Sequence, residues 1–249
     1  MKNKLNGFVL MKFFSTEEYR NEFLNGVIYF NTVDNFARNS EKGRGDNTEG
    51  KTFVINIENP DMMSANLEQH NGEWFVIVRD YKNNPEQYKK GTVWDYSAAI
   101  NRFRKICSLY MLRVDIENNQ VEPISNKMTE EFGRYGIIVL NQELFLKRIE
   151  DYFKQNKEYV GFDMGKVVYL PQCENAGLVD YTPFLKRSEY EYQNEFRITF
   201  VGKQEIPIKI NLGESLRDIV VPIDISQLKK SRLRILSYFL KSSFRWNLF

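Results

Sequence analysis

The sequence predicts a mixed α+β fold built as a single domain, with helices flanking a sheet. Its 249 residues, of which 42% are apolar, are enough to form one sizeable core. The N-terminal part alternates strand-like apolar runs with helical patterns, and β-rich runs dominate after residue 52. No internal repeat or Pro/Ser-rich linker divides the sequence, so we treat residues 1–249 as one domain.

The first predicted elements are a strand and a helix. Residues 7–14 are apolar and extended in character, which is typical of a buried strand. Ser15 is the predicted N-cap of the following helix, and Glu18 completes a capping box three residues later. We expect this helix to run to Leu24, where Asn25-Gly26 supplies a stop signal.

A second strand and helix follow in the same order. Residues 27–30 form a short β-rich run, and Thr32 is a suitable cap for a helix that carries Phe36. Residues 38–50 are charged and rich in glycine, which predicts a loop. The spacing of Gly43, Gly45 and Gly50 in this loop matches neither a dinucleotide-binding motif nor a P-loop, so we reject a phosphate-cradle motif there.

The rest of the chain is predicted to consist mainly of strands, with polar insertions at 59–71 and 80–91. Short apolar runs predict the strands at 52–57, 74–78, 105–114, 136–140, 166–170 and 196–201. The spacing of apolar residues predicts a helix over 142–153 and a basic helix over 226–249. The simplest interpretation of the basic helix is amphipathic packing on the sheet, and the alternative is a polyanion or membrane contact.

Composition argues against several classes of function. The 35 Lys and Arg residues nearly balance the 33 Asp and Glu residues, so the chain as a whole lacks the charge of a polyanion-binding protein. Cys107 and Cys173 stand far apart, which argues against a disulfide framework and a structural zinc site, and we expect no metal. The apolar stretch near the N-terminus is too short to span a membrane, so we expect a cytoplasmic protein with no membrane partner.

The single histidine weakens the case for triad chemistry. His70 precedes Asn71-Gly72, a strong hairpin-turn signal, which predicts an exposed loop histidine. Ser-His-Asp and Cys-His mechanisms need an imidazole beside the nucleophile, and this position does not favour one.

Three segments carry residues suited to chemistry. Strand alternation places Tyr29 and the residue after it on opposite faces, so one can enter the core while the other faces a cleft. Gln193, Glu195 and Arg197 are predicted on one side of a single strand. Lys12 interrupts an apolar strand and must pair, reach solvent or face a cleft. The alternatives are core packing for Tyr29, an exposed strand face for the polar row and a sheet edge for Lys12.

Two of these segments resemble motifs of the poly- and mono-ADP-ribosyltransferases. Residues 26–30, Gly-Val-Ile-Tyr-Phe, resemble that family's Gly-Ile-Tyr-Phe segment, and residues 194–198, Asn-Glu-Phe-Arg-Ile, are similar to its Asn-Glu-Tyr-Ile strand. The resemblance implies an ADP-ribosyltransferase-like split sheet. It also implies NAD as substrate and the transfer of ADP-ribose to a macromolecular acceptor, either a protein or a nucleic acid. Lys12 stands near a position where the family has histidine or arginine.

The same resemblance implies a role for each candidate residue. Glu195 would stabilise the oxocarbenium charge that develops when the nicotinamide–ribose bond breaks, and Gln193 would orient the acceptor or a ribose hydroxyl. Tyr29 would stack on nicotinamide. The implied NAD-binding set is Lys12, Tyr29, Phe36 and Arg197.

A broader resemblance, to a widespread bacterial and phage family of uncharacterised proteins, covers most of the chain. It rests on segments such as 25–30, 44–50, 106–108, 132–136, 166–169 and 184–197. That family usually shows Trp-x-Tyr-Glu-x-Glu-x-Arg where residues 190–197 here read Tyr-Glu-Tyr-Gln-Asn-Glu-Phe-Arg. This resemblance implies relatives but no reaction.

Two other classes of function stay open. The first is a non-catalytic nucleic-acid- or protein-binding module of a phage or defence system. Its binding residues would be the loop from Arg38 to Arg44, Trp94, Arg102, Arg104 and the basic helix at 226–249. The second is a nuclease or glycosidase that uses Glu189, Glu191 and Glu195, although three carboxylates so close in sequence more often form a solvated face.

Overall fold

The strands and helices of this computed structural model form one main antiparallel sheet with helices packed against it. The structure describes residues 7–39, 51–52, 63–70, 73–80, 96–97, 100–115, 120–170 and 182–225. The strands are β1 (Gly7–Phe14), β2 (Val27–Thr32), β3 (Lys51–Thr52), β4 (Met63–His70), β5 (Glu73–Asp80), β6 (Tyr96–Ser97), β7 (Arg104–Asp115), β8 (Gln120–Val121), β9 (Tyr135–Val139), β10 (Val160–Lys166), β11 (Val168–Leu170), β12 (Leu185–Arg187), β13 (Glu195–Val201), β14 (Ile208–Asn211) and β15 (Val220–Asp224). The helices are α1 (Glu17–Leu24), α2 (Val33–Arg38), α3 (Ile100–Phe103), α4 (Asn126–Phe132) and α5 (Gln142–Gln155), and a 3₁₀ helix spans Ser188–Gln193.

The strand order of the main sheet is β10-β13-β7-β1-β9-β15, with β2, β8 and β14 attached beside this path. All of its pairings are antiparallel. A short parallel ladder joins β11 to β12, and β4 pairs with β5 as a hairpin. The prediction of a mixed α+β domain is therefore confirmed at the level of fold class.

β7 is the strand from which the two N-terminal strands diverge. Its residues 110–114 pair with residues 7–11 of β1, whereas its residues 105–106 pair with residues 31–32 of β2. Residues 107–109 lie between these two ladders and face a gap on that edge. On the opposite edge, β13 pairs with β7 along its whole length and runs past the gap without interruption.

The core occupies both faces of the sheet. One face packs against α1 and α5, whose Phe23, Phe145 and Ile149 are buried. The other face packs against α4, whose Met128 is buried. Full burial of one such side chain contributes about 1.5–3 kcal/mol to stability. The helix predicted over 142–153 is thus confirmed by α5. The packing on both faces of the sheet holds β1 and β7 in place.

Polar caps define both N-terminal helices. The hydroxyl of Thr16 accepts a hydrogen bond from the Tyr19 backbone N–H, so the cap of α1 is Thr16, and the prediction of Ser15 with a Glu18 capping box is wrong by one residue. Thr32 caps α2 as predicted, because its hydroxyl accepts from the Asn35 N–H. The direct passage from β2 into α2 follows from this cap.

Several predicted boundaries differ from the structure. The polar insertion predicted at 59–71 is wrong, because β4 occupies Met63–His70 and its polar residues pair across a hairpin. His70 therefore ends a strand, paired with Glu73, rather than lying in a loop. The sequence patterns also missed α4, β10, β12, β14 and β15. These elements are short, and in β14 the exposed Lys209 separates only two apolar residues, which is too little for a periodic signal.

Some predictions fall on residues that the structure does not describe. They are most of the glycine-rich loop, most of the strand at 52–57, nearly all of the insertion at 80–91 and the basic helix at 226–249. Within the described residues, the helices are too short or too polar to cross a membrane.

Candidate active site

A cleft of about 590 Å³ opens where β1 and β2 diverge from β7. Residues 107–109, which face the gap in the ladders, form part of its wall. The side chains of the sequence-predicted site also line it. They are Lys12, Tyr29, Phe36, Gln193, Glu195 and Arg197, and they come from β1, β2, α2, the 3₁₀ helix and β13.

The start of β13 is fixed by Asn194, the residue before Glu195. Asn194 adopts the left-handed conformation with φ of 39°, which an asparagine tolerates better than most residues. Its side-chain amide donates to the Met111 carbonyl, and its own carbonyl accepts from the Met111 N–H at 2.8 Å. These bonds to β7 end the 3₁₀ helix and set the position of Glu195.

Gln193 is not where the sequence predicted it. It is the last residue of the 3₁₀ helix rather than part of the strand with Glu195 and Arg197. The reason is the left-handed turn at Asn194, which breaks the extended chain between them. Gln193 still reaches the cleft, but from a different element.

Glu195 lines the cleft, and the residue is only 5% exposed. Its Oε1 accepts from Lys186 Nζ at 2.6 Å, and its Oε2 accepts from Arg197 Nε at 2.8 Å and from Ser108 Oγ at 2.7 Å. Its backbone N–H donates to the Tyr169 hydroxyl at 2.8 Å. Four elements therefore hold this one residue.

Two opposing effects act on the pKa of Glu195. Burial alone raises the pKa, but the ion pairs and hydrogen bonds with Arg197 and Lys186 lower it more. The net direction is a pKa well below the usual range of a glutamate. Glu195 is consequently a carboxylate near neutral pH despite its burial.

Arg197 is the anchored partner in this group. Its Nε contacts Glu195, and its Nη1 donates to the Pro183 carbonyl at 2.6 Å. The two residues stand two apart on β13, so both side chains leave the same face of the strand. The expected Glu195–Arg197 pair is present and buried rather than on the surface.

Lys186 is a site residue that the sequence patterns did not single out. Its ammonium bridges Glu195 Oε1 and Gln193 Oε1, the latter at 2.5 Å, and lies 4.7 Å from the centre of the Tyr190 ring. Its side chain is 8% exposed. No periodicity relates Lys186 to Glu195, because a three-residue strand and a 3₁₀ helix bring them together.

Lys12 lies at the divergence itself. Its Nζ donates to the Ser108 carbonyl at 2.8 Å. The hydroxyl of Ser108 donates in turn to Glu195, so Ser108 connects the lysine of β1 to the carboxylate of β13. The sequence analysis did not single out Ser108 as a site residue, since a single serine within an apolar strand has no recognisable pattern.

The aromatic wall of the cleft includes Tyr29. This residue is 46% exposed whereas Phe30 is fully buried, so the predicted alternation is confirmed. Partial burial raises the pKa of Tyr29, Tyr19 raises it further by a smaller amount, and Lys209 has a smaller lowering effect, so the phenol stays neutral. Nearby, Lys209 forms an ion pair with Glu22 at 2.7 Å.

The residues of the two alternative functions are distributed differently. Glu189 and Glu191 are exposed on the 3₁₀ helix and do not line the cleft, so they are not gathered with Glu195. Arg102 is exposed on α3, and Arg104 begins β7. Trp94 and the basic helix lie outside the described residues. In the described part of the chain, no three His, Cys, Asp or Glu side chains are grouped as metal ligands.

Comparison of this chain with protein-family models, with curated proteins and with solved structures finds no match. The cleft combines an ionised carboxylate, aromatic side chains and the partly buried ammonium group of Lys12.

Proposed function

We propose that this protein is an ADP-ribosyltransferase-like enzyme that cleaves the nicotinamide–ribose bond of NAD. ADP-ribose would pass to a macromolecule or to water. One observation supports this most strongly: six residues from five separate elements line one cleft, and one of them is a buried, ionised glutamate. In this proposal the divergence of β1 and β2 from β7 is the split sheet of such a fold.

The reaction needs charge stabilisation more than proton transfer. The C–N bond breaks with its electron pair leaving on the nicotinamide, which departs as a neutral molecule, and positive charge passes to the ribose. An oxygen or nitrogen of the acceptor then bonds to the anomeric carbon and releases a proton to water. A carboxylate held beside the ribose stabilises charge that exists only near the transition state. Glu195 is the group proposed for this role.

The surrounding residues divide the remaining work. Tyr29 offers an exposed ring face at the cleft wall for stacking on nicotinamide, and Phe36 supplies a second apolar surface. The side-chain oxygen of Gln193 accepts a hydrogen bond from Lys186, which also donates to Glu195. Gln193 therefore helps to position the Glu195 carboxylate, and in this proposal it acts on the ribose hydroxyl through that carboxylate. Arg197 holds Oε2 from behind.

The test of this proposal is release of nicotinamide from labelled NAD, with and without a cell lysate as acceptor source. Glu195→Gln alone leaves two buried cations without a counter-ion, so the informative variant is Glu195→Gln combined with Lys186→Met. We expect this double variant to lose about 10²–10³ in rate while it stays folded. Glu130→Gln, an exposed carboxylate on α4, is the matched control and should match the wild type. A folded double variant with unimpaired NAD cleavage contradicts the proposal.

A second function, a non-catalytic binding module, is supported by a different observation. Both oxygens of Glu195 already accept from protein donors, as expected of a structural carboxylate. In that case the wild type binds NAD or another ligand in the cleft without releasing nicotinamide. Replacement of the exposed Arg102 would then weaken polyanion binding and reduce its salt dependence if the partner is a nucleic acid.

A further inference from the structure

Lys12 differs from the other cleft cations in its partners. Lys186 and Arg197 contact Glu195, and Lys209 contacts Glu22. The Lys12 ammonium donates to the Ser108 carbonyl and lies 6.0 Å from the centre of the Phe14 ring. Within the described part of the chain it forms no ion pair with a carboxylate.

The nearby Glu195 carboxylate is poorly available as a counter-ion for Lys12. Glu195 Oε1 accepts from Lys186, and Oε2 accepts from Arg197 and from the hydroxyl of Ser108. One negative charge is thus shared by two cations before Lys12 is considered. A partly buried ammonium without a counter-ion is unfavourable, and a ligand anion beside it relieves that cost.

Lys12 also has donor capacity to spare. An ammonium group has three N–H donors, and one is used by the Ser108 carbonyl. The lysine lines the cleft, so its other donors are near the space that a ligand would occupy. Lysine binds phosphate as a compact point charge, and this arrangement suits that mode of binding.

We infer that Lys12 forms an anion subsite of the cleft, which takes a phosphate or diphosphate group of the ligand. The aromatic wall at Tyr29 and the anion subsite at Lys12 together favour a nucleotide. This inference deepens the proposed function and rests on it for the identity of the ligand as NAD. The subsite itself rests only on the charges and contacts of Lys12.

A structural role is the competing explanation. Lys12 satisfies a carbonyl of β7 that faces the gap between the ladders, and this bond alone would account for a lysine on β1. The anion-binding role depends on the positive charge of residue 12, whereas the structural role needs only a hydrogen-bond donor. Lys12→Arg keeps the positive charge, whereas Lys12→Gln keeps a hydrogen-bond donor and removes the charge.

The experiment is calorimetric titration of the full chain with inorganic pyrophosphate. We expect Lys12→Gln to weaken binding about tenfold or more, since a hydrogen bond to a charged group is lost. Lys12→Arg should stay within about threefold of the wild type. Lys209→Gln is the matched control, because that lysine lines the same cleft but is already paired with Glu22, and it should change affinity little. Higher salt should weaken binding to the wild type, which gives a readout that needs no variant.

Three outcomes would overturn the subsite: no pyrophosphate binding by the wild type, affinity that is independent of salt, or equal affinity for the wild type and a folded Lys12→Gln protein. A lower melting temperature of Lys12→Gln with unchanged affinity would assign the lysine to the structural role. If the protein cleaves NAD but its pyrophosphate binding does not depend on Lys12, the subsite is wrong and the proposed function stands. If pyrophosphate binding depends on Lys12 but NAD is not cleaved, the proposed function is wrong and the subsite stands.

Discussion

The Lys186 ammonium lies 2.6 Å from Oε1 of Glu195, and this contact ties the short strand β12 to the first residue of β13. Both side chains are more than nine-tenths buried. Removing one member of a buried ion pair leaves an uncompensated charge, which is more costly than losing a surface pair. Lys186 therefore affects both the stability of the protein and the charge available in its cleft.

Lys186→Met should lower the free energy of unfolding at pH 7 by about 3 kcal/mol, the lower end for a broken buried pair because Arg197 remains in place. The measurement is urea unfolding followed by circular dichroism. Lys154→Met is the control, since Lys154 forms an exposed pair with Glu150 on α5, and it should show no measurable change. Equal stability of the Lys186→Met protein and the wild type would contradict a buried pair.

Acid should destabilise the protein through Glu195. Burial raises the pKa of this residue, but Arg197 and Lys186 lower it further, so the folded-state pKa lies below the unfolded-state value. A lowered pKa contributes stability that is fully present above the unfolded-state pKa of about 4.3 and is lost as the pH falls toward the folded-state pKa. We expect the free energy of unfolding to decline between about pH 5 and pH 2, and less steeply in Lys186→Met. If the free energy of unfolding of the wild type declines no more steeply with falling pH than that of Lys186→Met, this prediction is wrong.

Glu195 and Lys186 should be coupled in a double-mutant cycle. Glu195→Gln alone should destabilise by about 3–5 kcal/mol because Lys186 and Arg197 lose their shared counter-ion. Adding Lys186→Met should recover part of that loss, with an interaction energy of about 0.5–3 kcal/mol. Additive losses in thermal or urea unfolding would show that the two residues act independently.

Asn194 should be sensitive to replacement for two separable reasons. Asn194→Ala loses the hydrogen bond from the side-chain amide to the Met111 carbonyl. It also places at positive φ a Cβ-bearing residue without a local polar contact, and this backbone effect alone costs about 1–2 kcal/mol. Asn194→Gly loses only the amide bond, so it should be the more stable of the two variants. Melting temperatures measured side by side decide this, and the opposite order would contradict it.

Tyr29→Ala should affect ligand binding more than folding. The side chain is half-exposed at the cleft wall, so we expect a change in stability within about 0.5 kcal/mol. Loss of a stacking ring should weaken NAD binding about tenfold, whereas Tyr29→Phe should retain it. Fluorescence or calorimetric titration checks the affinity. A large fall in melting temperature with unchanged affinity would place Tyr29 in the core instead.

The sequence was informative where local periodicity decides geometry. Strand alternation predicted that Tyr29 and Phe30 point to opposite faces, and the spacing of Glu195 and Arg197 predicted a shared face. It was uninformative about Lys186, because contacts across a short strand and a 3₁₀ helix have no period. The cap of α1 was missed by one residue, since Ser15 and Thr16 are both suitable caps and only the backbone conformation selects between them.

The uninterrupted pairing of β13 with β7 has a mechanical consequence for the cleft. β1 and β2 border the opening, and each is hydrogen-bonded to a different part of β7, so a change in the twist of β7 would change the distance between them. All seven residues of β13 pair with β7 on the edge opposite the gap, and this pairing opposes further twisting of β7. The strand that presents Glu195 is thus also the strand that supports β7 beside the opening, so substitutions that loosen β13 would disturb the carboxylate and the strands around the cleft together.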